Sequence, residues 1–167
     1  AVGYLSAENN SSGTHNSAMG IMALRTNTTG SYNTALGGHS LYLNATGSNN
    51  TAIGRYALYR NTNNHNTAIG YDALYNNTTG SYNTALGRDA DIAYAYLTNA
   101  TAIGYNAVAT ADNRVKIGNS AVTHIQGQVA FTSVSDKRVK ENVQEAVPGL
   151  SFIVELRPVT YTLNTRK

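Results

Sequence analysis

The chain has 167 residues, a formal net charge of +3, 13% charged residues, 12 tyrosines, two phenylalanines, and neither tryptophan nor cysteine. Charge this sparse is about half the usual globular content, and the lack of cysteine excludes disulfides, thiol nucleophiles and thiolate metal sites. No 18-residue apolar run is present to span a membrane, and the net charge is too small to hold a chain open by self-repulsion.

From the N-terminus onward the chain repeats itself. The unit Asn-Thr-Ala-(Ile/Leu)-Gly appears as "NSAMG" at 16–20, "NTALG" at 33–37, "NTAIG" at 50–54 and 66–70, "NTALG" at 83–87 and "ATAIG" at 100–104. Its glycines step by 17, 17, 16, 17 and 17 residues, Gly3 extends the series backwards, and "NRVKIG" at 113–118 adds a last step of 14. Such a period is too short for two helices and a turn. It suits one coil of a β-solenoid, with equivalent strands stacked about 4.8 Å apart. The predicted fold is therefore all-β: a parallel β-solenoid of about seven 14–17-residue coils over 1–118.

Columns of equivalent residues give the expected core. The residue before each glycine is large and aliphatic (Val2, Met19, Leu36, Ile53, Ile69, Leu86, Ile103, Ile117), and four places after glycine stands Leu24, Leu41, Leu58 or Leu74. Together they predict two short strands per coil, at "TAIG" and around "ALY", and an Ile/Leu core one residue wide per layer. Between them runs a small column that includes Ala57, Ala73 and Ala107, which reads as a face for close approach of another backbone. A core this thin buries little against the entropy of ordering each coil, so side-by-side association of three chains is expected. Asn16, Asn33, Asn50, Asn66 and Asn83 predict a stacked amide ladder, and the "NNTTGSY" stretches predict corner turns. After Gly87 the leucine column meets Asp91, and either a bulge that lets Ile92 take the core position or a shift of the strand is expected there.

Chemistry-bearing residues are few. His15, His39, His65 and His124 show no convergence with carboxylates, so neither a metal nor a cofactor is expected. Asp72, Asp89, Asp91 and Asp112 follow no pairing of the kind a glycan-cleaving site needs. The basic excess lies beyond residue 113, interrupted by Glu141 and Glu145, and lacks the aromatic-interleaved stripe of a nucleic-acid binder. Sequons such as Asn27-Thr28-Thr29 follow from composition alone. What is left to meet a partner is the outer loops, above all the twice-written "NTTGSYNTALG": Asn27, Thr28, Thr29 and Tyr32, then Asn77, Thr78, Thr79 and Tyr82.

Two segments resemble known families. "NRVKIG" and the 14-residue last step resemble the left-handed parallel β-roll of trimeric autotransporter adhesin heads, although the 17-residue coils here are longer. "SDKRVK" at 135–140, followed by "GLSFIVELRPVTYTL" at 149–163, is similar to the point where tail-fibre proteins pass into an endosialidase-type intramolecular chaperone domain. That resemblance implies a homotrimeric fibre, a β connector over 119–132 and the N-terminal part of a chaperone domain over 133–167, a short mixed segment that lacks the family's later helical part. It also implies self-cleavage before Ser135, with Lys140 as its partner. A lysine beside another cation such as Arg138 loses its proton more readily and activates a hydroxyl. Read from residues alone, 133–145 is equally a charged helix start with Ser and Asp caps.

The functional expectation is a structural and adhesive fibre segment, extracellular on a bacterial cell surface or a phage-like tail. It would associate with copies of itself, polymerise end to end, and display Asn-, Thr- and Tyr-rich loops to surface glycans or a receptor. The alternatives are a glycan-cleaving tailspike, and an ice-binding solenoid using the column Thr34, Thr51, Thr67, Thr84 and Thr101. Both ends read as cut from a longer chain.

Overall fold

In each coil the β-branched Thr and Ile flank an alanine, a pattern that favours a short extended segment with one small residue turned inward. The structure, a computed structural model, describes residues 1–127. These segments form β1 (Ser17–Met19), β2 (Thr34–Leu36), β3 (Thr51–Ile53), β4 (Thr67–Ile69), β5 (Thr84–Leu86), β7 (Thr101–Ile103) and β9 (Val115–Ile117), with the two-residue strands β6 (Asp91–Ile92) and β8 (Val108–Ala109) between the last three. The first seven make one parallel sheet in the order β1-β2-β3-β4-β5-β7-β9, and β6 pairs with β8 in a second. Register follows the repeat: Ala35 lies beside Ala18 and Ala52, and Ile103 beside Ile117 despite the shorter last step. Among the described residues there is no helix, and the chain is an all-β solenoid of about six turns. Ala1–Ile125 forms one compact unit. The connector expected to be β is irregular over 119–127, and the remainder of 119–132 and all of 133–167 lie outside the described residues.

The core is not the one expected. Leu24, Leu41, Leu58 and Leu74 are fully buried, but their partners are the strand alanines (Ala35, Ala52, Ala68, Ala85) and the small column (Ala23, Ala57, Ala73, Ala90, Ala107). The pre-glycine aliphatics point outward, with Met19 56%, Ile53 37%, Ile69 37% and Leu86 47% exposed. The small column, expected to receive a neighbouring chain, faces the interior of its own coil instead. Local backbone explains the exchange. Residues two and four after glycine are left-handed, as in Tyr56 (φ 60°) and Leu58 (φ 51°), so alternation fails and two consecutive side chains turn inward. A left-handed leucine costs about 1–2 kcal/mol. Its full burial returns about 1.5–3 kcal/mol, so packing prevails over local preference.

Buried polar columns complete the interior. The expected ladder is present: Asn16, Asn33, Asn50 and Asn66 each accept, through Oδ1, the backbone N–H of the next asparagine at 2.9–3.0 Å. A second ladder, Asn10, Asn27, Asn44, Asn61 and Asn77, stands beside it, each amide donating to the one before. Its members also close their own turns, as where Asn44 Nδ2 donates to Gly47 O at 2.8 Å. The 16-residue step falls in this turn: Asn61 Nδ2 reaches Asn63 O, two residues on rather than three. From Asn10 to Asn83 the coils thus replace the missing inter-strand pairing at their corners with side-chain amides; beyond them the next position of the first ladder is the buried Ala100.

The conserved spacing of the motif glycines has a steric cause as well as a conformational one. Gly54 has φ 130°, and a Cβ there would lie 2.3 Å from the carbonyl oxygen of Gly70 in the next coil. No larger residue fits while the coils keep their spacing.

Candidate functional site

Three surface features emerge from the stacking. On the outward face of the seven-stranded sheet, the alternation that buries alanine turns both threonine and the following aliphatic out. Thr34, Thr51, Thr67, Thr84 and Thr101 form an in-register, half-buried column, and Met19, Ile53, Ile69 and Leu86 form a more exposed apolar column beside it. The face is therefore a mixed threonine–aliphatic surface rather than a bare threonine rank.

On the turn side, residues five after glycine stack coil upon coil. Tyr42, Tyr59 and Tyr75 lie with ring centroids 5.2 Å apart and planes within 5° of parallel. His39 and Tyr56 pack against them at tilted or edge-on angles, and the Arg55 guanidinium sits 4.5 Å from the centroid of Tyr56. One end of the stack is closed by Arg25, which donates to the Tyr42 hydroxyl at 3.1 Å and to Glu8 at 2.7 Å. Partial burial among the neighbouring rings raises the Tyr59 hydroxyl above its ordinary value.

The other end of the stack opens on a pocket. The following coil offers Ile92 where a fourth tyrosine would stand: Asp89 keeps the left-handed conformation, but Asp91, four after Gly87, is in strand β6 instead, which moves the inward position by one residue. Ile92 is buried in the core in place of Asp91, which is only half-buried. The resulting concavity, about 280 Å³, is lined by Asp72, Tyr75, Asn76, Asp89, Asp91, Asn106 and Val108. The Asp91 carboxylate accepts from the Ile92 N–H at 2.8 Å and from Asn76 Nδ2 at 3.2 Å. Burial nonetheless pushes it up to about 6. Burial, then the nearby Asp89, also raises Asp72, whose Oδ1 is enclosed without a hydrogen-bond partner. Asp89 is paired with Arg88 at 3.1 Å.

In the sequence these acids follow no obvious pairing. Asp72 and Asp89 do occupy one column, 17 residues apart, and the break at Asp91 lies beside it; those two signals together mark the pocket. Asp112 stands apart, accepting the Thr98 N–H.

The expected loop residues divide sharply. Asn27 and Asn77 are fully buried ladder members, which removes them from any contact surface. Thr28 and Thr78 are half-buried and donate to Ala45 O and Ala95 O of the next coil. Thr29 and Thr79 are exposed. Tyr32 and Tyr82 are exposed too, each with one face stacked on a histidine of the preceding coil, His15 at 4.7 Å and His65 at 4.9 Å. Among the described residues no group of His, Asp or Glu has metal-holding geometry, and no helix is long and apolar enough to cross a membrane. Ser135 and Lys140 lie outside the described residues. No family model and no curated protein matches the chain.

Proposed function

We propose that this chain is a segment of an extracellular structural and adhesive fibre, assembled from three copies and presenting its turn side to surface glycans. The observation that carries this reading is the exposed aliphatic column of the long sheet, repeated in register from coil to coil. A contiguous apolar stripe of this kind is costly to leave in water and marks a surface that another chain covers. A second copy of the same stripe matches its spacing by construction. With the sheet face covered, the tyrosine stack and the exposed Thr29, Tyr32, Thr79 and Tyr82 remain outward, repeated along each copy, which suits weak contacts multiplied by valency.

The test is binding of the intact chain to a glycan array together with its mass in solution. Glycan binding by a trimer supports the reading; a monomer that binds no glycan contradicts it. A second reading, a glycan-cleaving tailspike, draws support from the gathering of Asp72, Asp89 and Asp91 in one pocket. Release of reducing ends from bound glycans separates it from adhesion alone. The proposed self-cleavage before Ser135 has its own test: wild type and Ser135→Ala with identical band patterns would remove it.

A further inference from the structure

We infer that the uncharged corner of the coil, centred on Tyr32 and Tyr82, is the contact site for an electrically neutral glycan chain lying along the stack. It rests on the glycan-contact reading, and gives that contact a place and a ligand class. The first observation is where charge is absent. In every coil from Gly3 to Gly104, charged side chains occur only between one and six places after the motif glycine, as at Arg25, Arg55 and Asp72. The rest of each coil, through the strand to the next glycine, carries no Asp, Glu, Lys or Arg. A ligand recognised through phosphate, carboxylate or ammonium groups finds no counter-charge there, whereas a polyhydroxyl ligand finds hydroxyl and amide partners.

The second observation is a period that stacking does not require. Five places before each motif glycine the column reads His15, Tyr32, Asn49, His65, Tyr82, Asn99, one triplet written twice and three coils apart. All six residues are exposed. Stacking repeats at every coil and asks for no triplet. On the charged side the same three-coil step keeps nothing: Ile21 is answered by Tyr71, Gly38 by Arg88 and Arg55 by Tyr105.

Backbone conformation is the third. The six residues are all left-handed, with φ between 54° and 60°. Asparagine tolerates that conformation, but tyrosine bears a steric cost in it. Full burial offsets this cost at Leu58, yet Tyr32 and Tyr82 are 59% and 60% exposed. The histidine stacked on one face of each returns only part of it. Strain left uncompensated at an exposed aromatic points to a role beyond folding. The rings offer apolar surface to the C–H face of a pyranose, and Asn49 and Asn99 offer amides to its hydroxyls. At about 4.8 Å per coil the two triplets stand about 14 Å apart, a span that one extended glycan bridges.

The experiment measures binding of the whole chain to neutral dextran, mannan and galactan, to anionic polygalacturonate and to cationic chitosan. Wild type is expected to bind a neutral polymer, with an affinity that changes less than about twofold between about 0.05 and 0.5 M salt. Tyr32→Asn and Tyr82→Asn install the residue already found at Asn49 and Asn99, so the wild-type circular dichroism spectrum should be kept. Each should weaken binding about three- to tenfold, and the double variant by about the product. Tyr105→Asn, at an equally exposed tyrosine on the charged side, should leave binding unchanged. Preference for either charged polymer, or loss of binding in salt, overturns the neutral ligand. Neutral binding that survives the double variant, or that Tyr105→Asn weakens as much, overturns the location. Both outcomes leave the adhesive reading standing; a chain that binds none of these polymers and nothing on a glycan array contradicts that reading and this inference together.

Discussion

Asn50→Ala tests the amide ladder at the centre of the stack. Asn50 is fully buried, and its side chain makes three hydrogen bonds: Oδ1 accepts from the Asn66 N–H at 3.0 Å, and Nδ2 donates to Asn63 O at 2.8 Å and to Asn33 Oδ1 at 3.2 Å. Their loss is unequal in consequence. Asn63 O still receives Asn61 Nδ2, and Asn33 Oδ1 still receives the Asn50 backbone N–H. The Asn66 N–H is left with no partner in a fully buried residue. An orphaned buried donor costs about 1–3 kcal/mol, and the two lost but partly compensated bonds add about 1 kcal/mol more. Asn50→Ala should therefore lower stability by roughly 2–4 kcal/mol in urea unfolding followed by circular dichroism. Thr46→Ala, at an exposed turn position, should stay within about 0.5 kcal/mol of wild type. A cost below about 1 kcal/mol for Asn50→Ala would show that the ladder is a consequence of stacking and not one of its causes.

Other perturbations separate further parts of the structure. Gly54→Ala places a Cβ 2.3 Å from Gly70 O at φ 130°, and should destabilise by at least about 3 kcal/mol or misfold. Gly38→Ala meets nothing closer than 3.9 Å and should be tolerated, both read as urea midpoints. Asp91 has its pKa raised on folding, so the native state holds its proton more tightly than the unfolded chain does. That contribution to stability is present at low pH and is lost as pH rises from about 4 through about 6, by at most about 3 kcal/mol. Asp91→Asn should flatten the pH profile of stability across that window; an unchanged slope would show that Asp91 is solvated in the folded chain.

The period, the Thr-Ala-Ile/Leu strands, the parallel register and the Asn16–Asn83 ladder were legible in the sequence because each depends only on spacing; the second short strand expected around Ala57, Leu58 and Tyr59 and their equivalents is a turn in all but the coils of β6 and β8. So was the substitution of Ile92 for Asp91, since a carboxylate in an apolar column forces a local shift. What was not legible depended on backbone hand. Nothing in the letters of Leu58 or Tyr56 announces a left-handed conformation at a bulky residue, and those two conformations decide which column faces inward. The pre-glycine Ile53 and the buried Ala57 therefore exchanged the roles that alternation assigned them. The second ladder was hidden for a different reason. Asn10, Asn27, Asn44, Asn61 and Asn77 sit in stretches whose Asn, Thr and Gly content reads as exposed turn, although their own 17-residue spacing matched that of the first ladder. With Asn27 and Asn77 in the interior, the identity of the two "NTTGSYNTALG" copies is largely a requirement of stacking.

Exposure of the aliphatic column makes self-association the central claim, and sedimentation equilibrium tests it most directly. Wild-type chain should sediment at three times the 17.8 kDa of one copy. The double variant Ile53→Asp/Ile69→Asp, altered only on the outward sheet face, should sediment as a monomer that keeps its β spectrum. A wild-type chain that is monomeric at all concentrations, or a double variant that stays trimeric, would contradict the account.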